Sequence, residues 1–202
     1  MSYLVDAANL LTLTGIAASI LAITLAVRGE HAGAAISLIG AFVLDVVDGP
    51  VAKRTSGRTI EQGQFGANLD SLADMVSAGV ALGVVTLSYG HFRLVYVPVA
   101  VLLAVATALR LSYFNVHGLD ESSGAYTGLP TDLAIIGFVA LMLLDGPMGG
   151  VAFRVTLSAG GVVLALLMVS PLRIPKLTGP WYVPLLLVAV MLAVAHAARL
   201  IG

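Results

Sequence analysis

Seven long apolar runs take up most of this chain and restrict what it can fold into. The runs lie at about 8–27, 33–52, 67–89, 94–115, 129–145, 151–170 and 181–200. Apolar stretches of about 17–25 residues are long enough to cross the hydrocarbon core of a bilayer as helices. The fifth run is short, which leaves a buried or re-entrant helix as an alternative there. We therefore expect six to eight membrane spans.

The low charge content supports this interpretation. Only 10% of the 202 residues are charged and 59% are hydrophobic, whereas soluble domains carry about 25% charged residues. Since so apolar a chain cannot present a solvated surface, the bilayer is its solvent. We predict an all-α integral membrane protein, with residues 1–202 forming a single membrane-embedded domain built as a polytopic helix bundle. The chain has no cysteine, which excludes disulfides and thiolate metal sites.

The basic residues predict an orientation in the membrane and exclude one class of partner. With a cytoplasmic N-terminus, six of them fall inside, namely Lys53, Arg54, Arg58, Arg110, Arg173 and Lys176. The remaining four fall outside, namely Arg28, Arg93, Arg154 and Arg199. The excess on the inside favours this orientation. Residues 1–9 contain no basic residue, so a cleaved secretory signal is not expected. Without a basic arm or stripe, nucleic acid is not an expected partner.

Two pairs of aspartates lie at the predicted cytoplasmic ends of consecutive spans. Asp45 and Asp48 are spaced i,i+3, and Asp70 and Asp74 are spaced i,i+4, so each pair lies on one helix face. The polar segment 53–65 between them is predicted to be the loop of an antiparallel helix hairpin. Four carboxylates can then converge from two neighbouring helices.

Such a cluster needs something to offset its charge. A carboxylate at the centre of a membrane helix costs about 2.5–3.5 kcal/mol on insertion scales. Two like charges 4 Å apart repel by about 4 kcal/mol at an effective dielectric of 20. Protonation or bound cations would relieve this, and converging carboxylates suit Mg²⁺, Mn²⁺ or Ca²⁺. Separate aspartates that merely contact headgroups and water are the alternative, but two matched pairs around a basic loop favour a cation site.

The spacing of these residues resembles a known signature. Asp45-Val-Val-Asp48-Gly49-Pro-Val-Ala52-Lys53 followed by Gly66-Ala-Asn-Leu-Asp70-Ser-Leu-Ala-Asp74 is similar to D-x2-D-G-x2-A-R and G-x3-D-x3-D of the CDP-alcohol phosphotransferases. Four further stretches resemble the bacterial and archaeal phosphatidylserine synthases of that family. They are NLLT at 9–12, LDSLAD at 69–74, RLSYFN at 110–115 with its preceding leucine, and GLP at 128–130. The resemblance covers residues 9 to about 132.

The resemblance implies an activity and its cofactors. A phosphatidyl group would pass from a CDP-diacylglycerol-type donor to an alcohol, first of all L-serine, with release of CMP. Asp45, Asp48 and Asp70 would hold two divalent ions, Mg²⁺ or Mn²⁺ with Ca²⁺ as an alternative occupant, and Asp74 would border the second. Asp74 is also the candidate general base. The resemblance further implies a homodimer in the cytoplasmic membrane, among membrane lipids, with the active site facing the cytoplasm.

Further residues are candidates for substrate contacts. Those predicted for the nucleotide donor are Asn9, Thr12, Gly49, Ala52, Lys53 and Gly66. Those predicted for the acceptor or its phosphate are Ser77, Arg110 and Asn115. Small residues leave room for a ligand but also serve helix packing. Polar residues also bond neighbouring helices, and an arginine at a span's end also reaches towards headgroups.

Departures from the signature keep other acceptors open. Lys53 replaces the motif arginine, Tyr113 replaces a second arginine, and Asp132 follows GLP where the family usually has an apolar residue or proline. Glycerol phosphate, inositol phosphate or another alcohol are therefore alternatives to serine. An ion-coupled transporter is an alternative of another class, but its carboxylates usually lie near the midplane on broken helices.

Overall fold

The computed structural model describes residues 6–54, 59–120, 124–175 and 182–201, without the side chains of residues 53, 54 and 182. Its elements are α1 (Ala7–Val27), α2 (His31–Arg54), α3 (Ile60–Asp74), a π-helical segment (Met75–Ala81), α4 (Leu82–Tyr89), a 3₁₀ turn (Leu94–Tyr96), α5 (Val97–His117), β1 (Ala125–Thr127), α6 (Thr131–Met142), α7 (Asp145–Met148), α8 (Gly150–Met168), β2 (Arg173–Pro175) and α9 (Tyr182–Ile201).

Seven helices in the described ranges are long and apolar enough to cross a membrane, which confirms the predicted fold class. They are Ala7–Val27, His31–Ala52, Ile60–Tyr89, Leu94–His117, Thr131–Met148, Gly150–Met168 and Val183–Ile201. Fully buried side chains such as Phe42, Phe138 and Phe153 form a common core between them. Exposed side chains such as Leu109 and Leu187 face outwards, where lipid is their natural solvent.

The loop predicted at 53–65 is wrong, because α2 runs to Arg54 and α3 begins at Ile60. Thr59 starts α3 with a capping box. Its hydroxyl oxygen accepts from the Gln62 amide at 3.2 Å, and its own amide donates to Gln62 Oε1 at 2.9 Å. This reciprocal pair satisfies amides that a helix start would otherwise leave free. The two helices that carry the aspartate pairs are therefore longer than expected and closely joined.

The third span is one continuous helix of 30 residues whose middle is π-helical. The π segment begins directly after Asp74, and π turns inside α-helices occur frequently at functional sites. Gly79 and Gly83 in this span pack against α5: an added Cβ would lie 3.4 Å from Thr107 Cβ at Gly79 and 3.2 Å from the Ala100 carbonyl at Gly83. Of the two uses that such a small-residue pair has in membranes, helix packing and dimer contact, these glycines serve packing within the chain.

Side chains of α9 bond to the free carbonyls at the end of the short fifth span. Helix α6 ends at Met142, and α7 adds one further turn from Asp145. Arg199 of α9 donates to the carbonyl of Met142 at 3.1 Å and to that of Leu143, while His196 Nε2 lies 3.1 Å from the Val139 carbonyl. These side chains satisfy carbonyls that the helix end would leave without partners.

A small antiparallel β pair lies at the end of the bundle that carries the aspartates. It joins β1 to β2, with Tyr126 opposite Ile174, and Arg173 of β2 lies 3.4 Å from Asp120 in an ion pair. No apolar alternation in the sequence predicted these three-residue strands. Their effect is to hold the segment between α5 and α6 in place beside the acidic end.

Candidate metal centre and substrate cavity

Three of the four predicted aspartates form one close group. Asp45 and Asp48 of α2 and Asp70 of α3 each place one carboxylate oxygen so that the three atoms lie within 4.8 Å of one another. The i,i+3 spacing turns both α2 carboxylates towards α3, because such residues are neighbours on a helix surface. Asp48 is only 9% exposed. The hairpin thus brings the acids of its two helices to one place.

A second group contains an acid that was not among the predicted ligands. Asp45, Asp74 and Asp132 also place one carboxylate oxygen each within 4.8 Å of one another. Asp132 lies in the first turn of α6, so its approach depends on the tertiary fold. The available signal was its position inside a membrane span, where an ionisable residue marks a candidate functional site by default. Asp45 belongs to both groups and connects them.

Two threonine hydroxyls orient the carboxylates. Thr12 Oγ1 donates to Asp48 Oδ2 at 2.6 Å, and Thr131 Oγ1 donates to Asp74 Oδ2 at 2.7 Å. Each bond fixes one oxygen of its carboxylate. Outer partners of this kind hold ligands in place at metal sites. Thr12, which was predicted to contact the donor, therefore also supports Asp48, and Thr131 was not predicted at all.

The donor set suits a divalent cation of the hard type. All the converging atoms are carboxylate oxygens, which Mg²⁺, Mn²⁺ and Ca²⁺ prefer. Oδ1 of Asp132 is buried and has no hydrogen-bond partner among the described residues. Ionised carboxylates only accept hydrogen bonds, so Asp45 and Asp74 cannot satisfy it in that state. A cation between these groups would supply the missing partner.

Five of the six residues predicted for the nucleotide donor surround one cavity of about 230 Å³, which Asp48 and Asp70 also line. The five are Asn9, Thr12, Gly49, Ala52 and Gly66. The sixth, Lys53, has its side chain outside the described residues. An added Cβ at Gly49 would meet nothing within 4 Å, so this glycine leaves open space where packing would have filled it.

A larger cavity of about 360 Å³ reaches both acidic groups, and Arg110 and Asn115 line it as well. Arg110 is only 6% exposed; its Nε donates to the Leu129 carbonyl at 3.2 Å, and its guanidinium lies 5.5 Å from the Tyr126 ring centroid. Its burial beside the cavity does not fit an arginine that reaches out to headgroups. Asn115 Nδ2 donates to Ser71 Oγ at 3.0 Å.

Ser77 lies apart from the other two acceptor candidates. Its hydroxyl donates to the Asp74 carbonyl at 3.3 Å. It lines a narrow gap of about 10 Å³ that borders Asp45, Asp74 and Asp132 and extends deeper into the bundle. Tyr113, the departure from a family arginine, is 46% exposed and stacks on His117 with centroids 4.2 Å apart. Arg110 and Asn115 thus share one cavity, and Ser77 lines a neighbouring gap that borders the same acids.

Comparison with known proteins agrees with this site. The family model described as CDP-alcohol phosphatidyltransferase matches residues 5–172. An archaetidylserine synthase from Methanothermobacter thermautotrophicus is 33% identical over 174 residues, which cover 85% of this chain and 70% of that protein. A CDP-diacylglycerol–serine O-phosphatidyltransferase from Helicobacter pylori strain J99 is 30% identical over 173 residues, covering 83% of this chain and 71% of that protein.

The fold and the site define a membrane-embedded enzyme with an acidic, oxygen-only centre at one end of a helix bundle. The chain belongs to the CDP-alcohol phosphatidyltransferase family. It is a transferase of phospholipid synthesis, which confirms the predicted reaction type. Membership of an enzyme family does not support the ion-coupled transporter. The family uses divalent metals, in agreement with the two acidic groups.

Proposed function

We propose that this chain transfers a phosphatidyl group from a CDP-diacylglycerol-type lipid to L-serine and releases CMP. The observation that carries the proposal is the shared cavity, where two carboxylate groups joined by Asp45 face a buried arginine. Both relatives described above are named for transfer to serine. The acceptor hydroxyl oxygen forms a new bond to the lipid-bearing phosphorus, and the bond from that phosphorus to the CMP oxygen breaks.

The acidic groups would hold two divalent ions, Mg²⁺ or Mn²⁺, with Ca²⁺ as an alternative occupant. Asp45, Asp48 and Asp70 would hold the first, and Asp45 with Asp74 would border the second. Bound ions of this kind neutralise a diphosphate and stabilise the leaving phosphate oxygen. The oxygen-only donor set favours this hard class of cation.

The chain's own residues would bind and orient the donor. We assign the nucleotide to the cavity that Asn9, Gly49, Ala52 and Gly66 line, because it opens directly beside Asp48 and Asp70. The open space at Gly49 would let the nucleotide approach the helix backbone. Lys53, one residue beyond Ala52, would meet the diphosphate as a point charge.

Serine carries a carboxylate, and Arg110 is the candidate partner for it. Arg110 is only 6% exposed at the wall of the cavity, where its Nε is held by the Leu129 carbonyl. Its guanidinium carbon lies over the rings of Phe114 and Tyr126, at 5.2 and 5.5 Å from their centroids. They limit its rotation, which suits a forked contact with a carboxylate. Asn115 lines the same cavity, whereas Ser77 is an acceptor candidate only through its contact with Asp74.

Asp74 would take the proton of the serine hydroxyl. Thr131 occupies its Oδ2, which leaves Oδ1 to accept the proton as the hydroxyl oxygen attacks phosphorus. The same carboxylate borders the second acidic group, so the base would lie beside the reacting phosphorus. Its position one helical turn from Asp70 keeps both within reach of a single substrate.

We further place the acidic end of the bundle on the cytoplasmic side, because the basic residues around it predict that orientation. The family resemblance supports a homodimer in the prokaryotic plasma membrane. Cysteine-free protein allows a direct test of the orientation by labelling single cysteines at Thr59 and Phe92, which begin α3 and follow α4 at opposite ends of the third span. In intact cells an impermeant thiol reagent should label Phe92→Cys but not Thr59→Cys.

The decisive experiment is an acceptor screen with purified protein and CDP-diacylglycerol. CMP release is measured with Mn²⁺ or Mg²⁺, and with serine, glycerol phosphate, inositol phosphate or no acceptor. We expect release that requires both the metal and serine. Release with another alcohol alone would overturn serine as the acceptor, and no release with any acceptor would overturn the transferase assignment. Asp45→Asn protein serves as the inactive control.

A further inference from the structure

Asp132 brings a carboxylate from a third helix into the acidic end of the bundle. The four signature aspartates come from α2 and α3, whereas Asp132 lies in the first turn of α6. One of its oxygens lies within 4.8 Å of oxygens from Asp45 and Asp74. The fold therefore adds a fifth acid to a site that the signature describes with four.

Asp132 lies in the first turn of α6 but does not cap the helix. A capping side chain accepts hydrogen bonds from free backbone amides at the helix start. Pro130 is the N-cap of α6, and no side chain makes a capping hydrogen bond there. Oδ1 of Asp132 is buried and receives no hydrogen bond from Arg110 or from any other described residue. A buried carboxylate oxygen without a partner is costly, and a bound cation would supply the partner that Oδ1 lacks among the described residues.

The neighbouring residue supports the same conclusion. Thr131 donates to Asp74 Oδ2 at 2.7 Å, so the first turn of α6 orients one acid of the group while it supplies another. A single cation bound by Asp45, Asp74 and Asp132 would then take one ligand each from α2, α3 and α6. Without Asp132 the same position would have two carboxylates from one helix hairpin.

We propose that Asp132 is a direct ligand of the second divalent cation, together with Asp45 and Asp74. This inference rests on the metal-dependent function proposed above, and it extends the centre beyond the four signature aspartates. The first cation position contains Asp45, Asp48 and Asp70, and the two positions share Asp45. Helix α6 supplies the third ligand of the second cation position, so Asp45 and Asp74 do not hold that ion by themselves.

The test is direct Mn²⁺ binding to purified protein without substrate, read by the paramagnetic resonance signal of free Mn²⁺. Wild-type protein should bind two ions. Asp132→Asn keeps the side chain's size but removes the charge. It should lower the affinity for the second Mn²⁺ ion by about 10- to 100-fold or more, because even an outer-sphere change usually costs that much. Asp120→Asn is the matched control: it removes one charge at the same end, from a residue ion-paired with Arg173, and should leave both ions bound.

Thermal unfolding distinguishes a metal ligand from a residue with a purely structural role. Removal of one crowded carboxylate should raise the unfolding midpoint of metal-free Asp132→Asn protein, while its Mn²⁺-induced stabilisation should be smaller than that of wild type. Two ions bound to Asp132→Asn with unchanged affinity, or one ion in wild type, would overturn the inference. Loss of one ion in the variant would support it even if no acceptor yields CMP, an outcome that would overturn only the proposed transferase function.

Discussion

The two ends of the bundle differ in the partners of their polar side chains. At the end away from the aspartates, polar side chains find protein partners. His31 Nε2 lies 2.9 Å from Ser88 Oγ, Ser88 in turn donates to the Ala26 carbonyl, and His31 stacks on Tyr89 with centroids 3.6 Å apart. Arg199 is bonded to the carbonyls at the end of α6. These contacts complete the fold without any ligand.

At the acidic end, groups of the same charge face one another. Asp45 lies close to four other carboxylates in two groups, and Asp132 Oδ1 has no partner among the described residues. His196 Nδ1 at the other end is also without one, but a neutral ring nitrogen costs much less than a buried charge. The difference indicates that one end is built for stability and the other for a charged ligand. Each prediction below tests that division.

The largest effect is expected from Asp45, which both acidic groups share. Asp45→Asn should reduce CMP release by more than about 100-fold, since even outer-sphere changes at metal sites cost 10- to 100-fold. The same change should stabilise the metal-free protein, because a repulsion of about 4 kcal/mol per close pair is relieved. Activity and thermal unfolding in the presence of a chelator measure the two effects. A less stable metal-free variant would contradict the view that the acids repel one another.

Replacing Arg110 should change KM for the acceptor and leave KM for the donor unchanged. Arg110→Gln should raise KM for serine by about 10- to 100-fold, the equivalent of a lost charged hydrogen bond of 1.5–3 kcal/mol. Arg110→Lys should recover only part of this, because lysine lacks the forked geometry. Steady-state kinetics with each substrate varied in turn provide the measurement. An equal rise in both KM values would show that Arg110 acts on the fold of the whole cavity.

Thr131 should have a smaller effect that is confined to metal binding. Thr131→Val removes the hydroxyl that fixes Asp74 Oδ2 and should weaken Mn²⁺ binding by about tenfold, the lower range for an outer-sphere partner. Thr24→Val is the matched control, because its hydroxyl bonds only to the Ile20 carbonyl on exposed α1 surface. Equal Mn²⁺ affinity in the two variants would exclude an orienting role for Thr131.

A change at Arg199, at the end of the bundle away from the aspartates, should lower stability without changing activity. Arg199→Met leaves the carbonyls at the end of α6 without their donor and should lower the free energy of unfolding by about 1 kcal/mol. CMP release per folded molecule should remain at the wild-type level, because Arg199 contacts the end of α6 that is remote from Asp132. A fall in kcat at unchanged folding would show that the two ends are coupled.

Hydropathy and the aspartate signature were sufficient to predict the spans and four of the acids. Burial in lipid requires long apolar helices, and a signature with fixed spacing places its residues on fixed helix faces. The start of α3 was also readable, since Thr59 and Gln62 have the spacing of a capping box. The polarity of residues 53–65 favours a loop, but the spacing of Thr59 and Gln62 marks a helix start inside that segment.

What remained unpredicted depends on contacts between distant segments. Asp132 meets Asp45 and Thr131 meets Asp74 only once α6 packs beside the hairpin. Ser77 lines a different cavity from Arg110 and Asn115 for a local reason. It follows Asp74 by three residues, which in an α-helix would share a face, but the π-helical segment from Met75 has i→i+5 bonds and a wider turn. Spacing rules for α-helices therefore fail at that point.

The smallest effect is expected at Gly49. Its replacement by alanine tests whether this glycine serves helix packing or leaves room for the ligand. An added Cβ there would meet nothing within 4 Å, so Gly49→Ala should keep or raise stability, by up to about 1 kcal/mol from helix propensity. If the nucleotide approaches the backbone here, the same methyl group should raise KM for the CDP-linked donor several-fold while KM for serine stays constant. Gly83→Ala is the contrasting variant, because its Cβ would lie 3.2 Å from the Ala100 carbonyl and should lower stability. Unchanged donor kinetics in Gly49→Ala would mean that the open space beside Asp48 is not where the nucleotide binds.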